Sequence, residues 1–300
     1  MVIGGVPIFR YNKKECEKIS FYHYTSLNAL YSILKNKELW LGNAAAMNDK
    51  NEIKEFFKSL KKWLINRNPD KEELIKKLLN NATKHIEGKY PFVMSFSTWE
   101  DDAAQWERYG DKASGVCIKF NIPKLAELLV DFPMSIDKIY YGADISDLSE
   151  NDQKEISNVL NSAEDILNQN EEGFNENMLK LLVNFAAKYK NKGFSSECEY
   201  RLYTYKWMAS NTDIDKLLQY DSRFQSSVSI DFNFSGNLIK KVMKIKLDKL
   251  NSDISLDDII EKIIIGPRSI QSISALKEYI KSLGYSVIHK HIEKSECTLI

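Results

Sequence analysis

The sequence lacks the motifs that mark the commonest metal and nucleotide sites. Its four cysteines contain no CxxC pair, and its four histidines form no HExxH or HxE…PCxxC pattern. These absences argue against zinc hydrolases and zinc deaminases, which need such ligand spacings. The phosphate-binding patterns GxxxxGKS/T and GxGxxG and the nucleophile motif GxSxG are also missing. We therefore expect no metal site, no P-loop and no Rossmann-type cofactor site.

The chain also lacks an excess of either charge and any long apolar run. Lys and Arg together number 42, as do Asp and Glu, so the formal net charge is +0. A polybasic DNA-coating protein is therefore excluded. No apolar run approaches the roughly 18 residues of a membrane span, and the N-terminus lacks the basic-then-apolar order of a secretory signal. We expect a soluble, cytoplasmic protein with reduced cysteines and no membrane partner.

What the sequence does contain is an irregular succession of strand and helix patterns. Aromatic and β-branched runs such as Phe21–Thr25 predict strands, and amphipathic runs such as residues 27–35 predict helices. Because many strands follow one another without a helix, we predict an α+β fold with one domain over residues 1–300. Residues 144–177 contain ten acidic residues and one lysine. They predict a helical, acidic insertion at about 144–192.

The first candidate site residues belong to the predicted strand 21–25. Alternation of side chains along a strand places His23 and Thr25 on one face and Tyr24 on the other. A histidine beside a threonine, directly before a helix N-terminus, can hydrogen-bond a ligand hydroxyl or carboxamide. The alternative interpretation is a core histidine whose hydrogen bonds are satisfied by the protein.

A second group combines small hydroxyls with aromatic rings. Ser95 and Ser97 point to the same side of a predicted strand, and Trp106 and Tyr109 are spaced i, i+3 on a predicted helix. The two rings could stack on a planar group such as a nicotinamide or a base. The alternative is that both aromatic residues belong to the core.

The third group is the least ordinary feature of the sequence. Period two places Glu197, Glu199 and Arg201 on one face of a predicted strand. Two neighbouring carboxylates beside an arginine are typical of acid–base or cation-stabilising chemistry. The alternative is a solvated edge strand with a surface ion pair. A weaker candidate is Arg268, which follows a buried strand and a Gly-Pro turn and could contact a phosphate.

Taken in order, five short motifs resemble a widespread bacterial domain-of-unknown-function family over roughly residues 20–270. They are HYTS at 23–26, ND..E at 48–52, FS…W..YG at 96–110, E.EYR at 197–201 and IIIG at 263–266. The opening motif also resembles the start of the ADP-ribosyltransferase fold, where a strand histidine precedes Thr or Ser, a helix and a second strand.

The resemblance implies an ADP-ribosyltransferase-like split β-sheet core with helical insertions, which grips NAD as a substrate and needs no metal. His23 corresponds to the NAD-holding position of the first strand, Ser95-Phe96-Ser97 to a Ser-x-Ser element, and Glu197-Cys198-Glu199 to a Glu-x-Glu pair. A first-strand histidine and a Ser-x-Ser element belong to different branches of that superfamily. Which glutamate is catalytic therefore stays open, and Glu199 is the preferred choice.

Each candidate residue receives a role under this hypothesis. A carboxylate near the ribose would stabilise the oxocarbenium character that develops when the nicotinamide–ribose bond breaks. We assign that role to Glu199 and the orientation of the acceptor to Glu197. The expected NAD-binding residues are His23, Tyr24, Thr25, Ser95, Ser97, Trp106, Tyr109, Arg201 and Arg268.

The leading hypothesis is an NAD-dependent ADP-ribosyltransferase-like enzyme that modifies a nucleic acid or a protein, acting as a toxin or anti-phage defence effector with an antitoxin or regulatory partner. Basic stretches at residues 54–89 and 238–250 permit a nucleic-acid acceptor. The alternatives are an NAD glycohydrolase and a non-catalytic nucleotide-sensing or partner-binding module of the same fold. A metal-free glycosidase fits poorly, because two acids on one face do not straddle a bond.

Overall fold

The computed structural model describes residues 9–44, 52–87, 89–130, 132–142, 144–169, 171, 173–204, 227–235, 238–250 and 253–298. Within these ranges, helices pack against a large mixed sheet, so the α+β prediction is confirmed. Asn48 and Asp49 of the ND..E motif lie outside the described residues. No helix in the described ranges is long and apolar enough to cross a membrane.

The strands are short and belong to two sheets. They are β1 (Arg10–Tyr11), β2 (Phe21–Thr25), β3 (Glu38–Asn43), β4 (Phe92–Ser97), β5 (Val116–Phe120), β6 (Met134–Lys138), β7 (Tyr140–Tyr141), β8 (Tyr189–Lys190), β9 (Glu199–Thr204), β10 (Val228–Ser235), β11 (Leu238–Lys246), β12 (Ile260–Ile265) and β13 (Ile292–Lys294). β7 and β8 form a separate parallel pair.

The helices lie mainly between these strands, and several begin at a side-chain cap, as Ser26 and Asp102 show by accepting from backbone N–H groups. They are α1 (Lys13–Cys16), α2 (Leu27–Asn36), α3 (Glu52–Arg67), α4 (Glu72–Ile86), α5 (Ala103–Tyr109), α6 (Ile122–Leu128), α7 (Glu150–Asn168), α8 (Glu176–Ala187), α9 (Leu256–Ile259) and α10 (Ile273–Ser282). The segment predicted as an insertion, about 144–192, contains α7 and α8.

The large sheet divides at β4. One edge of β4 pairs with β9 from Val93 to Ser97. The other edge pairs with β3 at Phe92 and Val93 and with β2 at Ser97. β2 continues the sheet through β5, β12 and β13, while β3 continues it through β11 and β10. The two halves therefore diverge from a common strand and leave a cleft between β2 and β3.

Two large hydrophobic cores stabilise the molecule. One lies beneath the sheet and includes Leu30 of α2, Leu125 of α6, Ile280 of α10 and Leu202 of β9. The other is formed by α3, α4, α7 and α8, which pack on one another. Because side chains alternate along β9, Tyr200 and Leu202 enter the first core while Glu199 and Arg201 face the opposite side.

Candidate functional site

A cavity of about 1190 Å³ occupies the cleft where the sheet divides. Its walls come from β2, the first turns of α2, β3, β4, β9 and the segment around β8. A space of this size can accept a ligand larger than a single nucleoside. The predicted site residues that line it are His23, Tyr24, Thr25, Ser95, Ser97, Tyr109, Glu197 and Glu199.

His23 connects β2 to the common strand β4. Its Nδ1 atom lies 2.8 Å from the carbonyl oxygen of Ser95. Because a carbonyl only accepts hydrogen bonds, Nδ1 carries a proton and donates it. Burial favours the neutral ring and lowers the pKa of His23, and this effect outweighs the hydrogen bond to Ser95, which acts in the opposite direction. Nε2 is then a hydrogen-bond acceptor on a residue that lines the cavity.

The Ser95 hydroxyl is an unused polar group in the same wall. Its oxygen is buried, and no hydrogen-bond partner is present for it among the described residues. A buried polar atom without a partner is costly. Since Ser95 lines the cavity, a polar ligand bound there could supply the missing hydrogen bond.

Glu199 is held by two buried cations. Arg201 donates from Nε to Oε1 at 2.6 Å and from Nη2 to Oε2 at 3.2 Å, and Lys190 donates to Oε2 at 2.9 Å. Burial by itself would raise the pKa of Glu199, but the charges of Arg201 and Lys190 and the hydrogen bonds from Arg201 lower it to about 2. The Glu199 carboxylate is therefore ionised at neutral pH.

Glu197 shares one of these cations and adds two contacts of its own. Lys190 Nζ lies 2.6 Å from Oε2, while Arg108 Nη1 and the Tyr109 hydroxyl donate to Oε1 at 3.1 and 2.7 Å. Burial is the main cause of the raised pKa of Tyr109, so its hydroxyl stays protonated and acts as a donor. Lys190 therefore ties the two carboxylates together.

The four buried charges of this cluster balance, Arg108 adds a partly exposed positive charge, and the acceptor capacity of the two carboxylates is not used up. The side chains of Glu197 and Glu199 are only 3% and 5% exposed, and Lys190 and Arg201 are as deeply buried. Each carboxylate offers about four acceptor positions, and the protein fills three on each. Within the part of the chain that the structure describes, these hydrogen bonds leave one position on Glu199 Oε1 and one on Glu197 Oε2.

The local backbone explains how both glutamates reach the cavity. The sequence predicts Glu197 on a strand, but Glu197 ends a 3-10 helix, Lys192–Glu197, and β9 begins only at Glu199. Cys198 between them adopts a left-handed conformation with φ of 46°. Arg201 lies behind Glu199, where Nη1 donates to the carbonyl oxygen of Ala187 at 3.0 Å. This turn, and not strand alternation, aims the Glu197 side chain.

Two predicted NAD-binding residues use their hydroxyls to bind backbone atoms. The Ser97 hydroxyl donates to the backbone carbonyl of Glu197 at 3.0 Å. The Tyr24 hydroxyl donates to the carbonyl oxygen of Trp99 at 2.8 Å. Both residues therefore fix the cavity wall through backbone atoms.

Three of the predicted NAD-binding residues do not line the cavity. Trp106 is completely buried against Tyr24 and donates from Nε1 to Asp101, so it is a core residue and not a stacking platform. Arg268 pairs with Glu107 at 2.6 Å on the surface. Arg201 is the buried partner of Glu199 described above.

The loop that follows the FS…W..YG motif and the IIIG motif contact each other beside β2, on the side away from the glutamates. The loop between Gly110 and Gly115 passes so close to β2 that a Cβ atom on Gly115 would lie 2.1 Å from the carbonyl oxygen of Thr25. Gly266 of the IIIG motif packs on this loop and donates from its N–H to the carbonyl oxygen of Gly115 at 2.9 Å. The glycines of both motifs thereby fix the position of β2.

Two residues of the site, Lys190 and Tyr141, are not predicted by any sequence pattern. Lys190 belongs to the two-residue strand β8, and the Tyr141 hydroxyl accepts the backbone N–H of Glu199 at 2.8 Å. The one available signal was the aromatic pair at 140–141 beside an acidic segment, which is too common to be specific. Their role depends on long-range packing.

Comparison with known proteins adds one finding. Residues 105–202 match the model of a family described as "protein of unknown function (DUF2971)". The matched segment contains Tyr109, Lys190, Glu197, Glu199 and Arg201, so the whole carboxylate cluster lies in the part shared with that family. No curated protein and no solved structure matches the chain.

Proposed function

We propose that the protein is an NAD-dependent ADP-ribosyltransferase that acts on a nucleic acid or a protein. The observation that carries the proposal is the divided sheet, in which His23 of β2 and Glu199 of β9 line one cavity. An ADP-ribosyltransferase-like core would hold NAD in such a cleft between two halves of a split sheet.

The residues suit cleavage of the nicotinamide–ribose bond. As that bond breaks, its electron pair moves to the nicotinamide nitrogen and positive charge develops on the ribose. The ionised Glu199 can stabilise this charge and accept a hydrogen bond from a ribose hydroxyl at its remaining Oε1 position. With a pKa of about 2 it is a poor general base at neutral pH, so its contribution is electrostatic.

Glu197 would then orient the acceptor substrate, the molecule that receives the ADP-ribose group. The attacking nucleophile forms the new bond to the ribose and loses a proton, which needs a nearby hydrogen-bond acceptor. Glu197 has one acceptor position left on Oε2 and lies on the cavity wall beside Glu199. If water is the nucleophile, the same steps give NAD hydrolysis. A toxin or defence effector controlled by a regulatory partner is the setting that we propose for this activity.

On the other side of the cavity, groups are available to hold NAD. His23 Nε2 can accept a hydrogen bond, and the Ser95 hydroxyl lacks a partner among the described residues. Together they can bind a carboxamide, whose NH₂ group donates and whose oxygen accepts.

A non-catalytic nucleotide-binding module is the second candidate. The observation that favours it is the pairing of Glu199 with both Arg201 and Lys190, which would also serve as a purely structural ion cluster.

The decisive experiment compares nicotinamide release from NAD by the natural chain and by Glu199→Gln. The matched control is Asp152→Asn, which also removes a carboxylate, 13% exposed, from its lysine partner, Lys188, but lies outside the cavity. We expect release by the natural chain and the control and a loss of at least 100-fold in Glu199→Gln, while NAD binding measured by calorimetry persists. NAD binding without release by any of the three would favour the binding module.

A further inference from the structure

A second cavity lies between α3 and α4 beside the proposed NAD cavity. It has a volume of about 400 Å³ and an apolar floor that includes Phe57, Leu79 and Tyr90. Four of the described residues that line it are lysines and none is acidic: Lys54, Lys58, Lys61 and Lys76. Lys58 pairs with Glu55, and Lys76 pairs with Glu72 and Glu73, so the net positive charge of the rim comes from Lys54 and Lys61. An apolar floor inside such a rim suits a ligand that carries both flat rings and negative charge.

The two cavities meet at Lys58, which lines both. Lys54, Lys58 and Lys61 are spaced i, i+4, i+7 on α3 and therefore share one face of that helix. On another wall of the NAD cavity lies Lys240 of β11. These four lysines and Lys76 form what we call the lysine track. The lysine track contains residues from both basic stretches of the sequence, 54–89 and 238–250, and they line the two adjoining cavities.

The chemistry of the track is that of a nucleic-acid backbone site. Lysines neutralise phosphates as point charges, and aromatic side chains stack on bases without regard to sequence. Phe57 and Tyr90 lie at the floor of the second cavity within the ring of lysines. An acidic protein would satisfy the lysines but would leave this aromatic floor without a flat partner.

The burial of the two glutamates favours a single-stranded nucleic acid over a duplex. Both carboxylates are at least 95% buried at the base of the cavity. A base paired inside a duplex cannot reach such a position unless it leaves the helix, whereas an unpaired nucleotide can enter.

We infer that the acceptor is a single-stranded nucleic acid, whose backbone follows the lysine track while one nucleotide enters the cavity beside Glu197. This inference rests on the proposed transferase function. The reaction would join the ribose carbon of NAD to a nucleophilic atom of that nucleotide, release neutral nicotinamide and pass the nucleophile's proton to solvent.

Binding can be tested apart from catalysis by fluorescence anisotropy with labelled oligonucleotides: single-stranded DNA, single-stranded RNA and duplex DNA. The track variant is Lys54→Gln with Lys61→Gln. Its matched control is Lys14→Gln with Lys281→Gln, which removes the same charge from exposed lysines outside both cavities. We expect single-stranded binding to weaken at least tenfold in the track variant and to stay unchanged in the control. Each lost phosphate contact should reduce the salt slope by about 0.7.

Equal weakening in both variants, tighter binding of the duplex, or no oligonucleotide binding would overturn the inference. The two single-stranded probes distinguish DNA from RNA as the source of the phosphodiester chain. Nicotinamide release that depends on Glu199 without oligonucleotide binding would leave the transferase proposal standing and refute only the acceptor. Oligonucleotide binding through the track without NAD cleavage would refute the transferase and retain the track as a binding site.

Discussion

His23 on β2 donates from Nδ1 to the carbonyl oxygen of Ser95 on β4, at 2.8 Å, across the point where the sheet divides. The contact joins the start of the chain to a strand 72 residues later. It also fixes the tautomer of the ring, because the other nitrogen must accept when the ring is neutral.

The burial of the His23 ring predicts a specific dependence of stability on pH. Burial lowers the pKa of His23 below its usual 6.5, so the unfolded chain takes up the proton first. The stability that the neutral ring contributes is complete above about pH 6.5 and is lost as the pH falls through the lower pKa, by at most about 1.4 kcal/mol per pH unit. Thermal unfolding of the natural chain and His23→Asn between pH 7.5 and 5 should show a smaller slope in the variant. Identical slopes would contradict the assignment.

Lys190 should be more important for folding than its position in a two-residue strand suggests. Lys190→Met would leave Glu197 and Glu199 buried without their shared cation, which costs about 3–5 kcal/mol. Adding Glu197→Gln should recover part of that loss, because it removes one of the two repelling charges. Urea denaturation of both single variants and the double variant measures this coupling. Strictly additive losses would show that Lys190 does not join the carboxylates.

Replacement of Gly115 by alanine should damage the protein because of crowding. The new Cβ atom would lie 2.1 Å from the carbonyl oxygen of Thr25, so β2 or the loop must move. We expect a loss of about 1–3 kcal/mol. Gly173→Ala is the control, since nothing lies within 4 Å of its Cβ position. Chemical denaturation should separate the two variants, and equal stability would contradict the close approach.

Asp101 should anchor the C-terminal segment. Its carboxylate accepts hydrogen bonds from the backbone N–H groups of Glu296 and Cys297 at 2.7 and 3.2 Å and also from Ser295 and Trp106. Asp101→Ala removes all of these contacts and places a non-glycine residue without a polar side chain at φ of 54°. Hydrogen exchange at the amides of Glu296 and Cys297 should accelerate strongly while exchange in α4 stays constant. Unchanged exchange at both amides would refute the anchor.

Sequence patterns predicted the α+β class and the strand 21–25 because they depend on local alternation of side chains. The same alternation correctly separated Glu199 and Arg201 from Tyr200 and Leu202. It could not tell an edge strand from an interior one, because that depends on which distant strands pair with β9. β9 proves to lie between β4 and β6.

The errors at the site have the same origin. The left-handed turn at Cys198 has no local signal, because the residue is not glycine, so Glu197 was placed on the strand. Trp106 and Tyr109 share a helix face, yet one is core and the other touches Glu197. Only the packing of α5 on β2 distinguishes them. Lys190 reaches the site through β8, which no periodicity marks.

The divided sheet also determines the stage of protein synthesis at which the site can form. One edge of β4 pairs with β2, from the start of the chain, and the other edge pairs with β9. The part of the cavity that contains Glu197 and Glu199 therefore cannot form before residues beyond 199 have been made. A nascent chain emerges from the ribosome in order and folds as its segments become available. Newly made protein therefore passes through a stage, after β4 has emerged and before β9 has emerged, with the histidine half of the cleft and without the acidic half.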